Sequence, residues 1–169
     1  MYQDGDLIIY QTTGVCRVMG VCQLDFSGSG TLQPYYTLKP LYQTGTICAP
    51  VQNPRVFMRP ILTSQQVNDL IDQIPSLPAQ PDDSKSIQQL CDHYTRAIKS
   101  HDCAALLSMV VSIWRKKQAL ASCHRKFGQV DSHFMKQAED LLYGEFAAAL
   151  QIPKSEVCRY IADRLHSHA

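Results

Sequence analysis

The N-terminus contains the stretch that decides the fold, Gly5-Asp6-Leu7-Ile8-Ile9-Tyr10, followed closely by Thr13-Gly14-Val15-Cys16. Gly5-Asp6 is a turn signal, and the run after it is rich in the β-branched and aromatic residues that favour strands. Gly14 adopts a positive φ without steric cost, so it predicts a tight turn into a second strand over 15–21. The stretch therefore predicts a β-hairpin that begins a small β-barrel.

Three more strand-prone runs follow the hairpin, at 35–38, 46–51 and 56–59. Pro50 has no N–H to contribute to a ladder, which places the 46–51 strand at an edge of the sheet. Five short strands in about sixty residues are typical of an SH3- or Tudor-like barrel. Ser64 then caps a short amphipathic helix over 65–74.

The second half of the chain is predicted to be helical. Pro75, Pro78 and Pro81 exclude a helix over 75–83, which we interpret as a linker. Beyond it, apolar residues recur at helical spacing in four segments, and Asp102 is a suitable cap for the second of them. The predicted class is α+β, with a barrel and short helix over 1–74, a linker over 75–83 and a four-helix domain over 84–169.

Composition restricts the classes of function. The chain has 169 residues, of which 45% are hydrophobic and 18% charged, as in folded globular proteins. No run is long and apolar enough for a membrane span and no signal-peptide pattern is present, so we expect a cytoplasmic protein without a membrane partner. The seven cysteines include no Cys-x-x-Cys pair, which predicts reduced thiols and no metal site. Without a nucleophile–base motif or a Gly-rich phosphate loop, we expect no catalytic residue, no cofactor and no small-molecule substrate.

The N-terminal motif resembles the opening of the CarD-type transcription regulators, which have a Gly-Asp pair, an apolar strand ending in Tyr and a Gly-Val turn. Further matches are Tyr35-Tyr36-Thr37-Leu38, the Ser100-His101-Asp102 turn and the stretch 136–150. The order of barrel, short helix, proline-rich linker and helical bundle is also that of the family, so the resemblance extends over nearly the whole chain. It implies a bacterial transcription regulator that is not an enzyme.

The resemblance also implies a contact with RNA polymerase. In this family the barrel, which is shared with the transcription-repair coupling factor, docks on the β subunit of bacterial RNA polymerase. Carried over to this chain, the contact falls on Thr46, Ile47, Cys48, Ala49 and Pro50. A strand with few charged side chains suits a partner that adds a strand through backbone hydrogen bonds. The residues alone also fit an ordinary edge strand of the barrel that binds no partner, where Pro50 hinders pairing with another strand.

In the same family the helical domain meets promoter DNA at the upstream edge of the transcription bubble. Residues 103–136 contain six basic residues against a single acidic one, Asp131, a net charge of +5. Five of the basic residues are candidate phosphate contacts: Arg115, Lys116, Lys117, Arg125 and Lys126. These residues also fit helix C-terminal ends, where cations complement the macrodipole.

Family members typically place a tryptophan at the start of the helical domain, wedged into the minor groove where the duplex opens. Here 84–94 contains no tryptophan, and Ile87 stands near that position as a candidate DNA contact. The single tryptophan, Trp114, falls on an apolar helical stripe and is expected in the core. The alternative function is a protein-interaction adaptor with a structural helical domain and no direct DNA contact.

Overall fold

The computed structural model describes residues 1–26, 28, 30–52, 55–78 and 86–167 of the chain. It divides into two compact units, Met1–Leu62 and Thr63–Ala169. The described strands all lie in the first unit and the described α-helices in the second. The predicted α+β class is therefore confirmed.

An antiparallel sheet forms the first unit. Its strands are β1 (Leu7–Tyr10), β2 (Gly14–Leu24), β3 (Gln33–Pro40), β4 (Ile47–Pro50) and β5 (Met58–Pro60), in the order β4-β3-β2-β1-β5. The predicted N-terminal hairpin is confirmed, because Tyr10 pairs with Gly14, which has a φ of 87°. This φ is in the region that side-chain-bearing residues rarely adopt, so glycine suits the position.

One face of the sheet is buried in a small apolar core, whose fully or nearly fully buried members are Ile8, Cys16, Val18, Tyr36, Leu38 and Ala49. The order leaves β4 and β5 at opposite edges, and no pairing joins these two strands among the described residues. The five strands are thus confirmed as one antiparallel sheet, while their closure into a barrel stays a prediction.

In the described part of the second unit there are five α-helices: α1 (Ser64–Asp72), α2 (Ile87–Lys99), α3 (Cys103–Ser122), α4 (Gln129–Leu150) and α5 (Val157–Ser167). The sequence predicted four helices here and grouped α1 with the sheet. In the structure α1 packs against α4 and α5, and its Val67 and Ile71 are fully buried. The boundary between the two compact units lies at 62/63, and α1 belongs to the second unit, where the other helices bury its apolar face.

The helix ends follow from local hydrogen bonds. Thr63, one residue before the predicted cap, forms a capping box in which its Oγ accepts from the Gln66 N–H and the Gln66 side chain accepts from the Thr63 N–H. Asp102 caps α3 as predicted, accepting from the N–H groups of Ala104 and Ala105. Of the predicted linker, Pro75 lies in a 3-10 turn over Ile74–Ser76, and residues 79–83 lie outside the described residues.

The helical core is apolar and contains fully buried Ile113, Leu142, Phe146 and Val157. No helix in the described part of the chain combines the length and apolarity that crossing a membrane requires. Burial of these apolar side chains between the helices stabilises the unit. An ion pair supplements it, in which Arg164 donates two hydrogen bonds, each 2.7 Å, to Asp72.

Candidate functional site

Strand β4, which contains four of the five predicted polymerase contacts, is an edge strand whose one partner among the described strands is β3. The Val51 N–H donates to the Pro34 carbonyl at 3.0 Å. Because hydrogen-bonded and non-hydrogen-bonded pairs alternate along an antiparallel ladder, the backbone groups of Ala49 and Ile47 point to β3. Those of Cys48 point away from the sheet, and no described residue hydrogen-bonds with them. The free edge thus presents the Cys48 N–H and C=O, whereas Pro50 presents only a C=O.

The side chains of β4 alternate as its backbone does. Ala49 is fully buried and Ile47 packs against the sheet core, so both serve the fold. Cys48 is exposed, Pro50 is half-buried, and Thr46 precedes the strand and is exposed. Of the five predicted residues, those that a partner can reach are therefore Thr46, Cys48 and, in part, Pro50.

The face of β2, β3 and β4 opposite the sheet core, called here the outer face, continues from this edge. A bulge between Val18 and Val21 shifts the β2 register, so different positions of β2 reach the outer face before and after it. Near β4, Tyr35 lies opposite Pro50 and stacks edge-on with Phe26, with ring centroids 4.9 Å apart. The outer face carries Arg17, Met19, Cys22, Leu24, Tyr35, Thr37, Lys39, Cys48 and Pro50.

Two of the five predicted phosphate contacts are bound within the helical unit. The Arg115 guanidinium donates to the carbonyl oxygens of Leu77, at 2.7 Å, and Ile74, at 3.3 Å. It therefore satisfies backbone acceptors in the turn that follows α1, which sequence spacing does not reveal.

Lys116 pairs with the buried carboxylate of Asp131, with Nζ 2.9 Å from Oδ2. The other oxygen of Asp131 accepts a 2.6 Å hydrogen bond from the Tyr94 hydroxyl. Asp131 is only 4% exposed, so these two contacts supply partners that a buried charge requires. This network joins α2, α3 and α4, and the sequence alone indicates only that Asp131 is a single negative charge among basic residues.

The remaining basic candidates, Lys117, Arg125 and Lys126, are exposed. The Lys117 ammonium lies 5.6 Å from the centroid of the Phe127 ring. Burial raises the pKa of the nearby Glu139 carboxyl, and the charge of Lys117 opposes that rise. Arg125 and Lys126 follow α3, where the Arg125 N–H donates to the Leu120 carbonyl at 2.9 Å. The structure thus separates three accessible basic residues from two that serve packing.

The apolar candidate Ile87 is exposed, and so is Trp114, which was expected in the core. Ile87, the first residue of α2, is 71% exposed, and Trp114 on α3 is 51% exposed. The prediction that Trp114 lies in the core is wrong, because the buried stripe of α3 runs through Leu106, Val110 and Ile113. Trp114 is one position, or about 100°, around the helix from Ile113.

Two cysteines have environments that the sequence did not distinguish. Burial raises the pKa of the Cys16 thiol to about 11. Cys103 is buried, and its thiol donates a 2.9 Å hydrogen bond to the buried Glu145 carboxylate. The environment of Cys16 therefore stabilises the protonated, unreactive form of its thiol.

Residues 2–62 match the family model of the CarD-like/TRCF RID domain. The match ends at Leu62, where the sheet unit also ends. The sheet unit is thus similar to the CarD-like/TRCF RID domain, and the resemblance seen in its opening motif is confirmed. No curated protein matched the chain.

Proposed function

We propose that this protein is a transcription regulator that binds the β subunit of RNA polymerase through β4 and contacts promoter DNA through its helical unit. One observation carries the polymerase part: a domain of the RNA polymerase-interacting type leaves the backbone of Cys48 unpaired at its edge among the described residues. The action is binding, with no catalytic step and no cofactor.

The proposed contact is a partner strand that extends the sheet beside β4. Such a strand hydrogen-bonds to the outward Cys48 N–H and C=O, and the short edge limits the ladder to a few bonds. Cys48→Pro removes this N–H and places a ring in the path of the partner. Because the removed N–H does not point to β3, the substitution deletes no hydrogen bond within the sheet.

The experiment measures binding of the full chain to bacterial core RNA polymerase by biolayer interferometry. Losing one hydrogen bond and leaving a partner carbonyl unsatisfied should weaken binding roughly 10- to 100-fold for Cys48→Pro. Cys48→Ala keeps the N–H and is the matched control, expected to bind like the wild type. Ile47 is unsuitable as a test position because its side chain packs against the sheet core. Equal binding by Cys48→Pro and Cys48→Ala, with both folded by circular dichroism, would contradict docking on β4.

The proposed DNA contact uses the exposed Lys117, Arg125 and Lys126, which we infer to neutralise phosphates near the upstream edge of the bubble. Ile87, at the exposed start of α2, and the half-exposed Trp114 supply apolar surface that can pack against unstacked bases. Arg115 and Lys116 are left out of this contact because they have partners inside the unit.

Salt dependence tests this part on the polymerase–promoter complex. Arg125→Ala/Lys126→Ala should reduce the magnitude of the salt slope by about 1.8, or about 0.9 for each phosphate that the variant no longer neutralises. Lys99→Ala, a change of an exposed lysine at the end of α2, is the control and should leave the slope unchanged. An unchanged slope for the double variant favours the alternative, an adaptor without DNA contact. The internal partners of Arg115 and Lys116 are the observation that favours that alternative.

A further inference from the structure

Arg17 on β2 and Lys39 on β3 face each other directly across the sheet. Two positions away in the same register, the Leu41 N–H donates to the Val15 carbonyl at 3.0 Å. The alternation of the ladder therefore makes Arg17 and Lys39 a hydrogen-bonded pair, with Cα atoms about 5.5 Å apart. Two positive side chains consequently emerge from adjacent positions of the outer face, and we call them the basic pair.

Among the described residues, neither member of the basic pair has an ionic partner. Both side chains are exposed, and no carboxylate in that part of the chain pairs with either of them. Like charges directly opposite each other destabilise a sheet. The pair thus weakens the isolated sheet unit while presenting a local positive charge to solvent.

The basic pair lies on the same face as the proposed docking edge and close to it in register. Extending the β3–β4 pairing by one position from Leu38↔Ile47 places Lys39 opposite Thr46. Thr46 is small and exposed, so its side chain does not block the space between Lys39 and a strand that pairs with the outer side of β4. A glutamate or aspartate on that strand can therefore approach the pair across Thr46.

We propose that the basic pair binds a carboxylate of the polymerase segment that docks on β4, and thereby sets the register of the docked strand. This inference rests on the proposed polymerase contact. Backbone hydrogen bonds repeat every two residues and do not by themselves distinguish one register from another. A charge contact at one position removes this ambiguity, because any other register leaves the pair without its partner.

The test compares Arg17→Glu/Lys39→Glu with Lys99→Glu, which reverses an exposed lysine of the helical unit, in binding to core RNA polymerase at several salt concentrations. We expect the double reversal to weaken binding at least about tenfold at low salt, mainly through a slower association rate. The difference from wild type should shrink as salt screens the charges. Lys99→Glu should bind like the wild type.

A stability measurement separates recognition from a structural role. Replacing Arg17 by glutamine removes the like-charge repulsion, so Tm should stay constant or rise by up to about 4 °C. A lower Tm for Arg17→Gln would show that the pair supports the fold, and would overturn the inference.

The binding outcomes are distinguishable. If Cys48→Pro weakens binding and the double reversal does not, the basic pair has no role in recognition, although docking on β4 stands. If neither variant changes binding, or the wild type does not bind polymerase, the docking proposal fails and the inference fails with it. Weakening by both variants, with salt sensitivity for the double reversal alone, supports the inference.

Discussion

Replacing Asp131 by alanine should destabilise the helical unit by about 2–4 kcal/mol. The Tyr94 hydrogen bond to this charged acceptor is short, at 2.6 Å, and bonds of this kind contribute about 1.5–3 kcal/mol. The Lys116 ion pair adds about 0–1 kcal/mol, because the Lys116 side chain is 31% exposed and regains water when its partner is removed. The position of Asp131 in the first turn of α4 adds a few tenths of a kcal/mol more.

Urea denaturation measures this effect, and Trp114 makes the measurement specific. It is the single tryptophan of the chain and lies on α3, so its fluorescence reports on the helical unit. Tyr94→Phe should cost about 1.5–3 kcal/mol alone and little in the Asp131→Ala background, giving a coupling energy of similar size. Lys117→Met, which changes the neighbouring exposed lysine, is the control and should alter stability by less than about 0.5 kcal/mol.

The reasoning would be refuted if Asp131→Ala cost less than about 0.5 kcal/mol, or if the costs of Tyr94→Phe and Asp131→Ala were simply additive. The first result would mean that the carboxylate is solvated well enough in the folded state to need neither partner. The second would mean that the Tyr94 hydrogen bond contributes no coupling energy.

Four further predictions concern three residues, Cys16, Phe146 and Gly14. Because burial raises the pKa of Cys16 to about 11, a thiol reagent at neutral pH should modify the exposed Cys48, Cys123 and Cys158 and spare Cys16 in the folded chain. The Cys16 thiol ionises first in the unfolded chain, from about pH 9, so wild-type stability should fall between pH 9 and pH 11 more steeply than that of Cys16→Ala. Phe146→Ala should cost about 3–5 kcal/mol in urea denaturation, because the ring is fully buried in the helical core. Gly14→Ala should cost about 1–3 kcal/mol by thermal denaturation, since a φ of 87° strains any residue with a Cβ.

The sequence predicted best what depends on neighbours along the chain. The N-terminal hairpin follows from an apolar run beside Gly14, and the start of α3 follows from the capping preference of Asp102. Both depend on interactions within a few residues. The position of β4 at an edge was also predictable, because Pro50 cannot take part fully in a central ladder.

Features that depend on contacts between distant segments were not predictable. The Asp131 network joins residues that are 37 positions apart, and Arg115 binds carbonyl groups about as far away. The basic pair can be recognised only once the β2–β3 register is known. The unit to which α1 belongs can be assigned only once it is known which helices bury Val67. Trp114 shows how far helical spacing can predict burial. An error of one residue in the centre of the apolar stripe moves a side chain from the core to the surface.

Strands β3, β4 and β5 each end on a proline, at Pro40, Pro50 and Pro60. An exposed edge is in general a template on which further chains can assemble without limit. Here Pro50 interrupts the row of donors at β4, so a second copy of the chain finds too few bonds to propagate a ladder. A partner must therefore gain most of its affinity from side chains near the edge. Pro50 thus limits the pairing of further copies along β4, and under the proposed docking it selects a partner whose side chains match those around the edge.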